Sequence, residues 1–151
     1  MADAMANSTM QKLNDSAKKG NLTDNGLPVQ FEVVTLAVNK FSNDLMTHKV
    51  EFAPIAQGNV AEVTQIYIKD SNNKTVLKPN LQGKIDSNDN IDVVVHEFSH
   101  FVGLPDRYIK DGNGNAHSLQ GFEFDFMGAD VSMPYTEPST LQMAVKNLEQ
   151  R

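Results

Sequence analysis

The sequence contains no cysteine and no tryptophan, and its basic residues are outnumbered by its acidic ones. Without cysteine the chain has no disulfide framework and no thiolate ligand, so any bound metal ion would be held by nitrogen and oxygen donors. There are 13 Lys and Arg residues against 19 Asp and Glu residues, which makes the formal net charge −6. This balance argues against nucleic acid as a partner, because neutralising phosphates requires clustered basic residues.

Long hydrophobic runs are also absent. No stretch approaches the roughly 20 apolar residues that span a bilayer. Residues 1–20 lack the continuous apolar segment of a cleavable signal peptide. We therefore expect no membrane insertion, and either a cytosolic protein, an exported or secreted protein without a visible signal peptide, or a module of a longer chain.

The 151 residues are expected to form one domain. Residues 1–26 are small and polar and break at Gly20 and Gly26, so we expect a flexible or helical N-terminal arm there, with the domain proper at residues 27–151. β-Branched and aromatic residues then dominate three runs. The expected strands are residues 29–38, 48–55 and 62–70, and the last is followed by a turn at residues 70–73.

The segment IDVVVHEFSHFVG, residues 91–103, has the β-branched residues of a strand but the spacing of a helix. Its apolar residues recur every three to four positions, at Ile91, Val94, Val95, Phe98 and Val102. We predict a buried helix with Asp89 or Asn90 as its N-cap. His96 and His100 fall opposite the apolar stripe and are expected to face a cleft or solvent.

A second helix is expected at the C-terminus. Leu141, Val145 and Leu148 recur at helical spacing, and Ser139 with Gln142 forms a capping-box pattern at its start. Strands followed by two helices predict an α+β domain.

The sequence HEFSH at residues 96–100 is an HExxH motif. Histidines four residues apart project from the same face of a helix and can hold one metal ion. Glu97 lies beside the first of them, where it can take a proton from a water activated by the metal and pass it to a leaving amine. The motif therefore predicts a catalytic zinc site with Glu97 as the general base.

A catalytic zinc site needs a third protein ligand and an open position for water. Gly103 can adopt a positive φ and end the helix sharply, which would let Asp106 swing back under the metal. Two alternatives remain for the third ligand. His117 lies in a Gly- and Asn-rich loop, and Glu123 lies in a segment whose alternating phenylalanines indicate a strand or turn.

The extended motif HEFSHFVGLPDRY, residues 96–108, followed by FDFMG, residues 124–128, resembles the metzincin clan of zinc peptidases. It matches the HExxHxxGxxD variant of the small snapalysin-like bacterial proteases. The resemblance implies His96, His100 and Asp106 as ligands of one Zn²⁺ ion and Glu97 as the base. It implies Met127 as the methionine of a turn, the Met-turn, that forms a hydrophobic floor to the site.

The same resemblance implies a small zincin-like fold, in which a twisted mixed sheet packs on the active-site helix, with the Met-turn and a C-terminal helix after it. In some metzincins a tyrosine two positions after the turn methionine assists the transition state. That position is Ala129 here, and Tyr135 or Tyr108 is the alternative source of a hydroxyl. A packed tyrosine with an ordinary hydrogen bond is the competing interpretation for both.

A weaker pattern concerns calcium. Asp111, Asn113 and Asn115 present oxygen donors at alternate positions, as calcium loops do. An EF-hand would continue with glycine and end with glutamate, where this chain has Ala116 and Phe122. We therefore predict a polar turn here.

These observations predict a zinc metalloendopeptidase that hydrolyses a protein or peptide substrate. Such substrates commonly pair as an added strand with a sheet edge, for which residues 62–70 are our choice. Secretion as a bacterial toxin or effector module would add an inhibitor or immunity protein as a partner. The alternatives are a zinc-containing binding or structural module without catalysis, in which Glu97 has no role, and a zinc hydrolase of a non-peptide amide.

Overall fold

The computed structural model describes residues 2–33, 48–53, 61–78 and 81–149. These residues form a small α+β protein, as predicted, with three helices and nine short strands in the described part of the chain. The helices are α1 (Ala2–Lys19), α2 (Ile91–Phe101) and α3 (Pro138–Glu149). The strands are β1 (Thr23–Asp24), β2 (Leu27–Pro28), β3 (Lys49–Ala53), β4 (Glu62–Val63), β5 (Tyr67–Lys69), β6 (Thr75–Leu77), β7 (Gln82–Asp86), β8 (Tyr108–Lys110) and β9 (Ala116–Ser118).

The central sheet has three described strands in the order β3, β7, β4. β3 runs parallel to β7, and β4 runs antiparallel to it, so the sheet is mixed. Helix α2 contacts both β4 and β7. The other described strands form three antiparallel pairs, β1 with β2, β5 with β6 and β8 with β9. The sheet therefore supports the helix that carries the HExxH motif.

Two of the strand predictions need correction. The strand expected at residues 62–70 is two strands, β4 and β5, which belong to different sheets. The break between the two strands includes Gln65. Its side chain donates hydrogen bonds to backbone carbonyls at and just after the end of α2. The first expected strand has no regular structure at residues 29–33, and residues 34–38 lie outside the described residues. The second expected strand, residues 48–55, is seen as β3, and residues 54–55 lie outside the described residues.

Helix α1 forms part of the core. It packs against α2 and α3, and its buried residues recur at helical spacing: Ala6, Met10, Leu13 and Ala17. Asn14 holds the following chain by accepting a hydrogen bond from the Phe31 amide at 2.7 Å and donating one to its carbonyl at 3.0 Å. Residues 1–26 were expected as a flexible or helical arm, and the helix they form contributes side chains to the domain. None of the helices in the described part is both long and apolar enough to cross a membrane.

Helix α2 begins where the side chain of Asn90 accepts a hydrogen bond from the Asp92 amide, so Asn90 is the N-cap. The buried surface of the helix is wider than the predicted apolar stripe and includes the face that carries the two histidines. Ile91, assigned to that stripe, is 44% exposed, whereas His96 and His100 are only 3% and 6% exposed. Of the two expectations for the histidines, a cleft or solvent, the second is wrong, because chain segments after the helix cover the face that carries them.

Helix α3 begins at Pro138, and Ser139 already lies inside it, so the predicted capping box is wrong. Proline suits the first helical position because its missing N–H would have no partner there. The Glu137 carbonyl accepts the first helical hydrogen bonds. Leu141 and Val145 are buried, as expected, and the side chain of Leu148 lies outside the described ones.

Candidate metal centre

The two motif histidines lie one turn apart on α2 with their rings edge to face, the ring centroids 5.0 Å apart. Each Nδ1 atom contacts a backbone carbonyl: His96 Nδ1 is 3.0 Å from Phe126 O, and His100 Nδ1 is 2.7 Å from Leu104 O. A carbonyl oxygen only accepts hydrogen bonds, so we infer that each Nδ1 carries a proton. With a metal ion in place of the proton shared with Asp106, neutral rings protonated at Nδ1 would present their Nε2 lone pairs, which is how ligating histidines are commonly held.

Asp106 reaches both of these nitrogens. Its Oδ1 atom lies 3.1 Å from His96 Nε2 and 3.5 Å from His100 Nε2. The approach depends on Gly103, which follows the helix with a φ of +90° and lets the chain reverse. A Cβ atom at Gly103 would also collide with the side chain of Asn147. Three potential ligand atoms from two segments of the chain therefore converge.

The electrostatics of this group favour one added positive charge. Burial would raise the pKa of Asp106, but its hydrogen bond to His96 and the nearby His100 hold that pKa below its ordinary value. Burial alone would lower the pKa of His96, but its bonds to Asp106 and Phe126 raise it. Burial and the neighbouring His96 lower the pKa of His100. A carboxylate between two imidazoles attracts a cation, and either a proton or a metal ion satisfies it.

Glu97 lies next to the same group. The potential ligand atoms of His96, Glu97 and His100 all lie within 4.8 Å of one another. Glu97 Oε2 accepts a hydrogen bond from the Val63 amide of β4 at 2.9 Å. Burial raises the pKa of Glu97 to about 7, against the opposing effects of His96 and of the Val63 hydrogen bond. A carboxyl that titrates near neutral pH can both accept and return a proton.

The turn around Met127 lies on the His96 side of the site. Met127 is fully buried, and its carbonyl accepts a hydrogen bond from the Arg107 amide, directly after Asp106, at 2.7 Å. The preceding residue, Phe126, supplies the carbonyl for His96. The turn is thus tied to His96 and to the segment that carries the candidate third ligand.

Asp125 anchors this turn and was missed by sequence reasoning. Its carboxylate is fully buried and accepts three hydrogen bonds, from the Met127 amide at 2.8 Å, the Glu137 amide at 3.0 Å and the Thr140 hydroxyl at 3.2 Å. The last two donors lie at the start of α3. The available signal was an acidic residue between two phenylalanines, since a carboxylate in an apolar run needs buried donors.

The alternative third ligands lie elsewhere. His117 is 59% exposed on β9, where its Nε2 atom lies 3.1 Å from Asp111. Glu123 is exposed, and its carboxylate accepts a hydrogen bond from the Gly121 amide. Neither side chain belongs to the His96, Glu97 and His100 group.

The possible calcium loop is the turn between β8 and β9. Asp111 Oδ1 accepts hydrogen bonds from the amides of Asn113 and Asn115, an arrangement typical of a polar turn. The predicted turn is what the structure has at this position.

The two tyrosines considered as hydroxyl donors differ in position. The ring of Tyr135 lies under the Lys19 ammonium, 3.9 Å from its centroid. The ring of Tyr108 lies beside His96, with the two centroids 6.1 Å apart. Of the two, Tyr108 is the one in contact with the histidine pair.

Comparison of this chain with protein-family models, with curated proteins and with solved structures finds no match. Its function must therefore be inferred from the chemistry of its own residues.

Proposed function

We propose that this chain is a zinc-dependent endopeptidase of the metzincin type, in which His96, His100 and Asp106 bind one Zn²⁺ ion and Glu97 is the general base. The observation that carries the proposal is the position of Asp106 Oδ1, within 3.5 Å of both Nε2 atoms. The opposite nitrogen of each ring is held by a carbonyl. Two imidazoles and one carboxylate form a donor set found in catalytic zinc sites.

The donor set fits zinc better than the harder divalent ions. Ca²⁺ and Mg²⁺ prefer six or more oxygen ligands, whereas zinc accepts imidazole nitrogen and needs only four ligands in all. When bound, zinc polarises a substrate carbonyl and lowers the pKa of a coordinated water. Asp106 is half exposed, so the site opens on the side where a substrate would approach.

Glu97 is proposed as the base and not as a ligand. Asp106 contacts both histidines directly, whereas one oxygen of Glu97 is engaged by the Val63 amide. With its pKa raised to about 7, Glu97 is poised to take a proton from the attacking water and return it to the leaving nitrogen. The Val63 hydrogen bond fixes where the carboxylate stands during both transfers.

The position of β4 supports a peptide as substrate. Among the described strands β4 lies at the edge of its sheet, paired only with β7. An extended peptide can pair with such an edge through its main chain. Because the Val63 amide contacts Glu97, a peptide placed along β4 would pass the proposed base. The zincin-like fold and the role of Met127 as the floor belong to the same proposal.

A structural zinc site is the competing function, and the proximity of Glu97 favours it. Structural sites are closed by four protein ligands, and Glu97 lies close enough to the histidines to be the fourth. The two functions differ in what Glu97→Gln does. A structural site would lose zinc affinity, whereas a catalytic site would keep its metal and lose activity.

The test measures bound zinc and cleavage of an unstructured polypeptide by the wild-type protein, Glu97→Gln and the control Glu51→Gln, an exposed position on β3. Wild-type cleavage should stop with a chelator and return with zinc. Glu97→Gln should retain one zinc per chain and lose activity by about 10²- to 10⁴-fold, the usual cost of losing a general base. Glu97→Gln activity within a few-fold of wild type, or cleavage insensitive to chelator, would contradict the proposal.

A further inference from the structure

Gln65 connects the segment between β4 and β5 to the end of α2. Its Nε2 atom donates hydrogen bonds to the carbonyls of His100, at 3.1 Å, and Leu104, at 2.9 Å. Only the amide nitrogen can donate to these two acceptors, which fixes the orientation of the side chain. The Tyr67 hydroxyl donates to Gln65 Oε1 at 3.3 Å and agrees with that orientation.

The Leu104 carbonyl is the same group that holds His100. It accepts a hydrogen bond from His100 Nδ1 at 2.7 Å as well as the one from Gln65. A carbonyl oxygen has two lone pairs, so these two donors use its full capacity. Gln65 therefore holds the acceptor that sets the tautomer and the orientation of the His100 ring.

The other ligand histidine has a different support. His96 Nδ1 contacts the Phe126 carbonyl, in the turn that Asp125 anchors. Phe126 is fully buried. A change at Gln65 should act on His100 and leave His96 in place, which makes His96 an internal control.

We propose that Gln65 is a positioning residue for the His100 ligand, a role that rests on the proposed zinc site. Partners that orient ligating histidines typically contribute 10- to 100-fold to metal affinity. Gln65 contacts not the histidine ring but the carbonyl that holds it, so we expect the lower end of this range, about a 10-fold effect on zinc affinity. Because Gln65 lies between two strands of different sheets, it also ties the proposed substrate edge to the ligand.

The first experiment is a zinc titration by competition with a chromophoric chelator. Gln65→Met keeps the side-chain length and removes the donors, and Gln65→Asn keeps the amide but is too short to reach both carbonyls. Both should raise the Kd for zinc by about 10-fold. Gln82→Met, the same change at an exposed position of β7, should leave the Kd unchanged.

The second experiment records the imidazole Nδ1–H signals of the metal-free proteins by NMR. In Gln65→Met the His100 signal should shift or exchange faster, while the His96 signal stays in place. A merely structural role would move both histidines or neither. If wild-type protein binds zinc and Gln65→Met binds it equally well, the role of Gln65 is overturned and the zinc site stands. Wild-type protein that binds no zinc would overturn both proposals.

Discussion

The two motif histidines, His96 and His100, are supported from opposite regions of the molecule. On one side, the buried turn at residues 125–128 supplies the carbonyl for His96 and is anchored by a fully buried carboxylate. On the other side, the strand segment at residues 62–67 holds Glu97 through Val63 and the His100 carbonyl partner through Gln65. The first region is anchored by a fully buried carboxylate with three donors, whereas in the second a half-buried side chain, Gln65, reaches backbone carbonyls.

Because of this difference, we expect variants in the buried turn to change mainly the stability of the protein, and variants in the strand segment to change mainly the proposed zinc binding and activity. Losing the carboxylate acceptor in the buried turn leaves its donors buried without a hydrogen-bond partner, so the free energy of unfolding should fall. A change at Gln65 leaves each of its two acceptors with another donor, since the Gly103 amide also bonds His100 O and His100 Nδ1 also bonds Leu104 O. We therefore expect stability to change less there, while the proposed ligand His100 loses its orientation. Variants on the two sides should therefore give different signatures.

The largest effect on stability is expected for Asp125→Ala. The variant leaves the amides of Met127 and Glu137 and the Thr140 hydroxyl without their acceptor. Hydrogen bonds to a charged group contribute about 1.5–3 kcal/mol each, so the free energy of unfolding should fall by about 3 kcal/mol or more. Denaturant unfolding of the metal-free protein measures this change.

Two controls accompany that variant. Asp125→Asn keeps one acceptor oxygen and should lose less stability than Asp125→Ala. Glu123→Ala removes an exposed carboxylate two residues away and should change stability little. Equal stability of Asp125→Ala and Glu123→Ala would show that the buried turn is not the stronger region.

A smaller effect, with a distinct pH dependence, is expected for Glu97→Gln without metal. The pKa of Glu97 is raised from 4.5 to about 7 in the folded protein, so the folded state binds this proton more tightly than the unfolded chain. Wild-type stability should therefore fall as the pH rises from about 4.5 to 7. Glu97→Gln has no such loss and should be more stable above pH 7, on the order of 1 kcal/mol once solvent screening is allowed for.

The two unfolding curves should converge below about pH 4.5, where Glu97 is protonated in both states. Glu51→Gln, at an exposed position of β3, is the matched control and should follow wild type at every pH, because Glu51 does not contribute to the pKa of Glu97. A constant difference between Glu97→Gln and wild type across the pH range would contradict the burial of this carboxyl.

A small effect, on stability alone, is expected for Met127→Leu. Met127 is fully buried, and leucine has nearly the same volume, so the substitution should cost less than about 1.5 kcal/mol. Zinc content should not change, because the residue contributes a packed side chain and a carbonyl but no ligand. A loss of bound zinc in Met127→Leu, with the fold intact, would show that the Met127 side chain does more than fill space.

Sequence patterns predicted the parts of the site that are encoded locally. Helix α2, its cap at Asn90 and the reversal at Gly103 follow from capping preferences and from the freedom of glycine at positive φ. The approach of Asp106 to the histidines follows from that reversal, because only a few residues separate them. Contacts between residues that are close in sequence can therefore be predicted from the sequence.

The supporting contacts were not predicted, because they join residues distant in sequence. The Gln65 side chain and the Val63 backbone amide lie more than 30 positions before their partners on α2, so no local sequence pattern links them. The depth at which the histidines lie depends on the packing of later segments against α2, which periodicity alone does not reveal. The break between β4 and β5 was hidden for the same reason, since apolar and polar residues alternate across it.

We propose that Asp106 completes a zinc site with His96 and His100. The direct test is the zinc that remains after dialysis in wild-type protein, Asp106→Ala, Asp106→His, and the controls His117→Ala and Glu123→Ala. We predict one zinc per chain in wild type, in Asp106→His and in both controls, and loss of zinc in Asp106→Ala, because two ligands seldom retain the ion. Full zinc in Asp106→Ala, together with its loss in His117→Ala or Glu123→Ala, would contradict the ligand assignment.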